Sequence, residues 1–389
     1  SITLPESPTG SVKDDVFSWG VVGHLPDSWE DRLGFGLSGH YNSSENFQPE
    51  GARVNVFGDP VGAPSGITQE YGFSLDFLDG RASMRINWFE TSVVNNSATG
   101  IGVATVASLD QLTYDSIDQL IIDGINPPEF ADLYELAPQA YQDVFNYELF
   151  TVDGIRQMEF TSPGNVVATT DFVAEGMEIE AIFNPLPNWR IMVNVAQQQT
   201  IRSNTAKAFS ELLELRQPVW DRVADFWQDD RLNIKIGENV KRRILDPTRA
   251  ILLLDGSPAT EQREWRANLI TSYDFAANSS LKGFGIGGAY RWEDSVAIGS
   301  PTIFDNDLQD DVLDVKNPYF GPKEDTIDAW VSYERLIFDK QVNWRLQLNI
   351  RNLLDEDDLI PVAQDPDFTY VGMRIRPGRT YTLSSRFEF

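Results

Sequence analysis

The sequence predicts an all-β chain folded as an antiparallel transmembrane β-barrel, with long outer loops that carry short helices. Three observations make that prediction. Apolar and polar side chains alternate with a period of two over many segments, as on a strand with one apolar face. The links between those segments alternate between short and long. And no apolar run approaches the roughly 18 residues of a membrane-crossing helix; the longest, such as Ile251–Leu254, are far shorter.

The alternation is clearest in four places. Trp344, Leu346, Leu348 and Ile350 oppose Arg345, Gln347, Asn349 and Arg351. Ala82, Met84, Ile86 and Trp88 oppose Arg81, Ser83, Arg85 and Asn87. Trp189, Ile191, Val193 and Val195 oppose Arg190, Met192 and Asn194. At the end, Tyr381, Leu383, Ser385, Phe387 and Phe389 oppose Thr382, Ser384, Arg386 and Glu388. The same pattern, less clean, places strands near 16–25, 33–42, 69–78, 172–183, 263–273, 284–292 and 326–334, giving eleven in all.

Short links fall at 26–32, 79–80, 184–188, 274–283 and 335–343, and long ones at 43–68, 94–171, 200–262, 293–325 and 353–378. An antiparallel meander with all its tight turns at one end produces this order, and outer-membrane barrels are built so. Two long links carry helical spacing, over 206–227 with Pro218 as a break or a new start, and over 127–147. Links of this length are functional or mobile.

Composition narrows the function. Net charge is −28, from 31 Lys plus Arg and 59 Asp plus Glu, which argues against a nucleic-acid partner. Two long links hold much of it: residues 94–171 have twelve acids against Arg156, and 293–325 nine against Lys316 and Lys323. Aromatic residues make up 12% of the chain, too many for a disordered one. There is no Cys, and His24 and His40 are the only histidines, so thiolate sites and multi-histidine zinc sites are excluded. Mean hydropathy of −0.29 fits a soluble protein and a membrane barrel equally, because a barrel strand hides its apolar face in alternation. Residues 1–5 show no charged segment leading into an apolar one, so the sequence reads as processed or as beginning partway through a longer polypeptide. No P-loop, G-x-S-x-G or H-E-x-x-H motif supports catalysis, and with 59 acids paired carboxylates arise by chance. The chain reads as a non-enzyme without a cofactor.

Several blocks resemble the C-terminal half of a TonB-dependent outer-membrane receptor. They are Asn188-Trp189-Arg190 with Asn194, Asn343-Trp344-Arg345 with Asn349, and Asn349-Ile350-Arg351-Asn352-Leu353-Leu354-Asp355, the last with Leu354 where the family usually has Phe. Pro377-Gly378-Arg379-Thr380-Tyr381 before an aromatic terminus, Glu70-Tyr71-Gly72 and Asp79-Gly80-Arg81 complete the set. The resemblance implies a 22-stranded barrel closed by an N-terminal plug, of which residues 1–389 would be a C-terminal barrel portion with no plug domain. It implies location in the outer membrane of a Gram-negative-type bacterium. It further implies active uptake of a scarce nutrient: a ferric siderophore first, with a cobalamin-like ligand or a glycan behind it. The implied partners are outer-membrane lipid, a TonB-type energy-coupling protein acting through a region upstream, the small-molecule ligand and the outer-membrane assembly machinery. Two other readings stay open: a passive porin-like or structural barrel, and a secreted β-rich carbohydrate-active or carbohydrate-binding protein.

Candidate residues follow, each with a plainer reading beside it. Arg85, Glu178, Glu180, Arg190, Arg345 and Arg351 form an inward row that would face the lumen and a plug, or simply wet a polar interior. Trp189 and Trp344 begin strands beside tight turns, as an interfacial aromatic girdle would; the plainer reading, an ordinary core Trp, fits less well because the pattern repeats at the same strand position. Tyr381, Leu383, Phe387 and Phe389 resemble a barrel-assembly signal, or are only a lipid-facing strand. Tyr114, Tyr134, Tyr141, Trp220 and Trp227 lie in long links, to cap a ligand or to form local loop cores. Asp305, Asp307 and Asp310 offer oxygens to calcium, but the run lacks the Gly and closing Glu of an EF-hand loop and reads better as solvated acid.

Overall fold

A computed structural model describes residues 13, 15–122, 135–229, 234–258, 262–305, 310–338 and 341–389. One eleven-stranded antiparallel sheet dominates it, with every strand hydrogen-bonded to its neighbours in chain order. We number these strands β1 (Ser18–His24), β2 (Phe35–Phe47), β3 (Ser65–Phe77), β4 (Ala82–Ser97), β5 (Thr169–Leu186), β6 (Trp189–Ser203), β7 (Trp265–Asp274), β8 (Phe284–Glu293), β9 (Glu324–Ile337), β10 (Val342–Arg351) and β11 (Thr380–Glu388). All eleven strands read from the alternation are present. Several run longer than read: β4 has 16 residues and β5 has 18, where about 9–11 suffice to cross a bilayer. At the long-link end β4, β5 and β6 stay paired with one another beyond Gln197, where the pairing of β6 with β7 stops.

Register fixes the two faces, because a period of two puts directly opposed residues on the same side. One row runs Asn42, Glu70, Phe89, Gly176, Gln198 across β2 to β6. A parallel row on the same face runs His40, Gly72, Asn87, Glu178, Ala196, Arg266, Glu293. The opposite face carries Ile86, Ile179, Val195, Ala267 and Trp292 in one row, and Val193, Leu269, Tyr290 and Ile327 in the next. One face is polar and the other apolar, the arrangement of a barrel wall between lumen and lipid.

Eleven successive antiparallel strands leave β1 and β11 running in the same sense, so these edges cannot pair antiparallel with each other. The sheet is thus one wall and not a closed antiparallel ring.

The link at 26–32 is more than a turn. It holds helix α1 (Asp27–Leu33), with Asp27 and Glu30 in its first turn and Gly34 closing it at φ 75, its N–H bonded to the Glu30 carbonyl. At the other end α2 (Thr105–Ile122), α3 (Gln139–Val144) and α4 (Lys207–Arg222) lie in the links after β4 and β6. Helix α4 continues through Pro218, where the sequence suggested a break or a new start. Of the helix expected over 127–147 only α3 is seen; residues 127–134 lie outside the described residues. Residues 236–252 add a further helical run that turns through a π segment at Lys241–Leu245.

The hydrophobic core sits in these links, not in the sheet. Val56 from the β2–β3 link, Val106, Leu109, Tyr141 and Phe145 from the β4–β5 link, and Phe209, Leu212, Trp220, Ile236 and Ile244 from the β6–β7 link bury one another. Three links thereby fold into one cap. Each helix alone would be marginal in water, and packing of their apolar faces stabilises all of them.

Candidate lumen wall and loop cap

On the polar face, His24, His40, Glu70, Arg85, Glu178 and Glu180 line a concavity of about 580 Å³ on β1 to β5. Arg85 stands directly across from Glu180, and Asn87 from Glu178; Asn87 Oδ1 is 3.1 Å from His40 Nε2. The six inward candidates do not form one cluster. Arg85, Glu178 and Glu180 meet here. Arg190 lies by the tight turn after β5, 3.4 Å from Asn184 Oδ1. Arg345 faces Glu334 and Arg386 across β9 and β11, and Arg351 faces Thr380 at the long-link end. Two aromatic rings lie flat on this wall because their cross-strand partners are glycines. A Cβ on Gly176 would meet the Phe89 ring at 2.8 Å, and one on Gly287 would strike the Trp330 ring.

The apolar face ends in aromatic contacts beside the tight turns. Trp189 meets Tyr273 edge-on at 6.5 Å, and Phe284, Tyr333, Trp344 and Phe387 follow in ring-to-ring contact. Each Trp also places its polar end: Trp189 Nε1 donates to Thr271 Oγ1 at 3.0 Å and Trp344 Nε1 to Ser385 Oγ at 2.9 Å. Tyr381, Leu383 and Phe387 lie exposed on the apolar face of β11, and Phe389 beyond its end is fully exposed.

The loop aromatics divide. Tyr141 and Trp220 are within the cap core, 0% and 1% exposed, so their rings pack the cap and present no face to a ligand. Tyr141 stacks on Phe145 and its hydroxyl donates to the Val103 carbonyl; burial pushes its phenol pKa well up. Tyr114 is half-buried, with the Arg156 guanidinium 5.4 Å from its ring centre. Trp227 opens a short strand, Trp227–Asp229; its side chain and all of Tyr134 lie outside the described residues. Asp305 and Asp310 oppose each other across a hairpin, while Asp307 and the Asp310 side chain lie outside the described residues. Among the described residues no group of three or more His, Asp or Glu is placed to hold a metal ion.

Charge pairing builds the rest, and sequence reading missed it. Inside the cap, Arg216 Nη2 bonds Asp110 Oδ1 at 2.5 Å with both side chains almost fully buried. Asp110 Oδ2 also accepts from Tyr147 Oη at 3.0 Å and from the Ala137 N–H at 3.2 Å, and Arg216 Nη1 reaches the Glu135 carbonyl at 2.7 Å. At the rim over β8 to β11, Glu324 takes both Arg263 and Arg374, and Glu356 takes Arg376. Asp294 bonds the Ser295 N–H and Lys323, which holds its carboxyl below the usual range.

The block Asn352-Leu353-Leu354-Asp355 and the block Pro377-Gly378-Arg379 interlock. Asn352 takes φ 50, which Asn tolerates. Its Nδ2 donates to the carbonyls of Glu356 and Pro377, its Oδ1 accepts from the Glu356 N–H, and its own N–H donates to Asp328. Asp355 accepts from the N–H and the guanidinium of Arg379 at 2.9 Å each. Replacing Asn352 with alanine is expected to destabilise the β10–β11 junction by about 1–3 kcal/mol, since buried groups lose their partners; urea unfolding of the refolded barrel measures it.

No family profile matches the sequence, and no curated protein matches it. Solved structures do match. FpvA of Pseudomonas aeruginosa, in complex with an iron-loaded heterologous pyoverdine, aligns over 96% of this chain at 14% identity and a TM-score of 0.50. The ferripyoverdine receptor of the P. aeruginosa outer membrane aligns at 14% identity and 0.48, and the ferric-catecholate import receptor Fiu of E. coli K12 at 16% and 0.43. The chain spans about a third of the length of each, 32%, 32% and 34%. The match to FpvA shows that the eleven-stranded sheet has the fold of part of an outer-membrane β-barrel. It is the fold of the TonB-dependent receptors, as the sequence blocks suggested.

Proposed function

We propose that this chain is the C-terminal barrel portion of an outer-membrane receptor that takes up a ferric siderophore, energised by a TonB-type protein. The observation that carries the reading is the pairing of a two-faced barrel wall with a large folded cap at one end only. A passive pore needs the wall but no apolar core above it, and here nineteen buried apolar residues are seen among the described ones. The cap end would face outward and the tight turns the periplasm, with Trp189 and Trp344 as the inner interfacial girdle. Arg85, Glu178 and Glu180 would seat an upstream plug, and binding and gating replace bond chemistry. The siderophore class is favoured by likeness to the FpvA complex with iron-loaded pyoverdine.

Iron-limited cells carrying the intact receptor are expected to accumulate iron-55 supplied as ferric hydroxamate, catecholate or mixed chelates, and to lose accumulation when the proton gradient is collapsed. Accumulation that survives collapse, together with steady ion conductance in planar bilayers, would instead identify a passive pore.

A further inference from the structure

Near the tight turns, three rows of cross-strand neighbours run over the apolar face of β6 to β9. Trp189, Tyr273 and Ile286 lie in the row beside the turns, and Leu269 and Tyr290 in the third. The row between them holds Thr271, Gly288 and Ala329, all small. Large side chains therefore flank a trough. Toward the turns it forms a groove of about 500 Å³, with Leu186, Trp189, Tyr273 and Ile286 at its sides and Thr271 and Gly288 in its floor. Leu186, Trp189 and Ile286 are each more than a third exposed.

The floor is apolar in effect. Thr271 Oγ1 accepts from Trp189 Nε1 at 3.0 Å and donates to the Arg190 carbonyl at 3.2 Å, so its hydroxyl is taken up within the protein. The fold does not require glycine at Gly288. No register shift marks a bulge there, and its φ is not positive. A Cβ at Gly288 would meet only the Asp328 carbonyl within 4 Å, at 3.3 Å. Gly287 differs, since a Cβ there would strike the Trp330 ring on the polar face. A glycine inside a strand costs stability, and it often marks the close approach of a ligand.

One charge stands at the tight-turn end of the groove. The link between β7 and β8, residues 275–283, carries Lys282 alone, and Lys282 is exposed. Asp274, which precedes this link, belongs to the polar-face row of Gly285 and Ser332.

We propose that this groove is a phospholipid site on the lipid side of the wall, in the leaflet at the tight turns. One acyl chain lies over Thr271 and Gly288 beside Trp189, and the headgroup phosphate meets Lys282. Continuity selects this occupant: the groove is part of the apolar face and ends among aromatic side chains of the kind that sit at a membrane boundary. The adjacent charge has the sign a phosphate requires. The site rests on the barrel-wall reading and not on the identity of any cargo.

Native mass spectrometry of the intact protein, extracted in mild detergent and stripped of loosely held lipid, is expected to find one retained phospholipid per chain. Phosphatidylglycerol added back should rebind. Gly288→Leu fills the floor and should weaken rebinding about tenfold, because the chain loses contact over a few methylene groups. Lys282→Gln should weaken it about threefold, the scale of an exposed charge contact. Ala267→Leu, on the same face in the row of Trp292, should change nothing. Heat-modifiable gel mobility shows which variants are folded, and Ala329→Leu, further along the same floor, replaces Gly288→Leu should that one misfold. The proposal is overturned if the unsubstituted protein retains no phospholipid, or if rebinding ignores the floor variants. Retention of lipopolysaccharide instead, or a dimer that Gly288→Leu separates, would overturn it too, the latter by making the occupant a second copy. Failure of the wall reading would show separately, as low oxygen access along the apolar face of β10.

Discussion

Replacing Arg216 with alanine is expected to loosen the cap by about 3–5 kcal/mol, because Asp110 would be left charged and almost fully buried without its partner. Hydrogen exchange of α2 and α4 in the intact protein reads the effect: their slowest amides should lose about two to three orders of magnitude of protection, at about 1.4 kcal/mol per tenfold. A double change, Arg216→Met with Asp110→Leu, removes both charges. It should recover part of the loss, but the Ala137 N–H and Tyr147 hydroxyl lose their acceptor, leaving about 1–3 kcal/mol. A loss below tenfold in the single variant would mean that the pair is not enclosed as described. The ladders toward the tight-turn end should keep their protection in every case, since their backbone pairing lies away from the Thr170–Thr205 and Asp171–Asn204 bonds that join cap and sheet.

The second large effect belongs to the apolar face. Leu346 sits midway along β10 between Tyr333 and Ser385, with Gln347 beside it on the polar face between Ser332 and Ser384. Leu346→Arg is expected to cost about 2–4 kcal/mol in a bilayer, the penalty for a cation near the midplane of a barrel's lipid face. Gln347→Arg should be close to neutral, since it adds charge to a watered wall. Urea titration in lipid vesicles, followed by heat-modifiable gel mobility, compares the two directly. Equal costs would mean that the two faces of β10 do not see different solvents.

The strands were legible because each has one face in an apolar medium and one in a polar medium, and that asymmetry is written as a period of two. Trp344-Arg345-Leu346-Gln347 shows it without any partner strand in view. The cap was less legible. Helix α2 buries Val106, Leu109, Asp110 and Thr113, so its core stripe contains a carboxylate and a hydroxyl, and the apolar spacing breaks there. Helical run 236–252 buries Ile236, Val240, Ile244 and Leu245, but the Lys241-Arg242-Arg243 run and Pro247 obscure that spacing. The small hairpins, with two to six residues per strand, are too short for periodicity to register. Tyr141 and Trp220 show the limit for sites: a ring at helical spacing carries the same sequence signal whether it packs inward or faces a ligand. The ion pairs were not legible at all. Arg216 and Asp110 are 106 positions apart, and nothing local marks either as the other's partner.

The central claim is that the eleven-stranded sheet is a barrel wall with lipid on one side and water on the other. Spin labels placed singly at each position from 343 to 351 test it most directly, by collision with oxygen, which concentrates in lipid, and with a nickel chelate, which stays in water. The account predicts two out-of-phase waves of period two: oxygen high at Trp344, Leu346, Leu348 and Ile350, nickel high at Arg345, Gln347 and Asn349. Low access of both reagents at the four apolar positions would contradict it, because that face would then be packed against protein and the sheet would belong to a soluble sandwich.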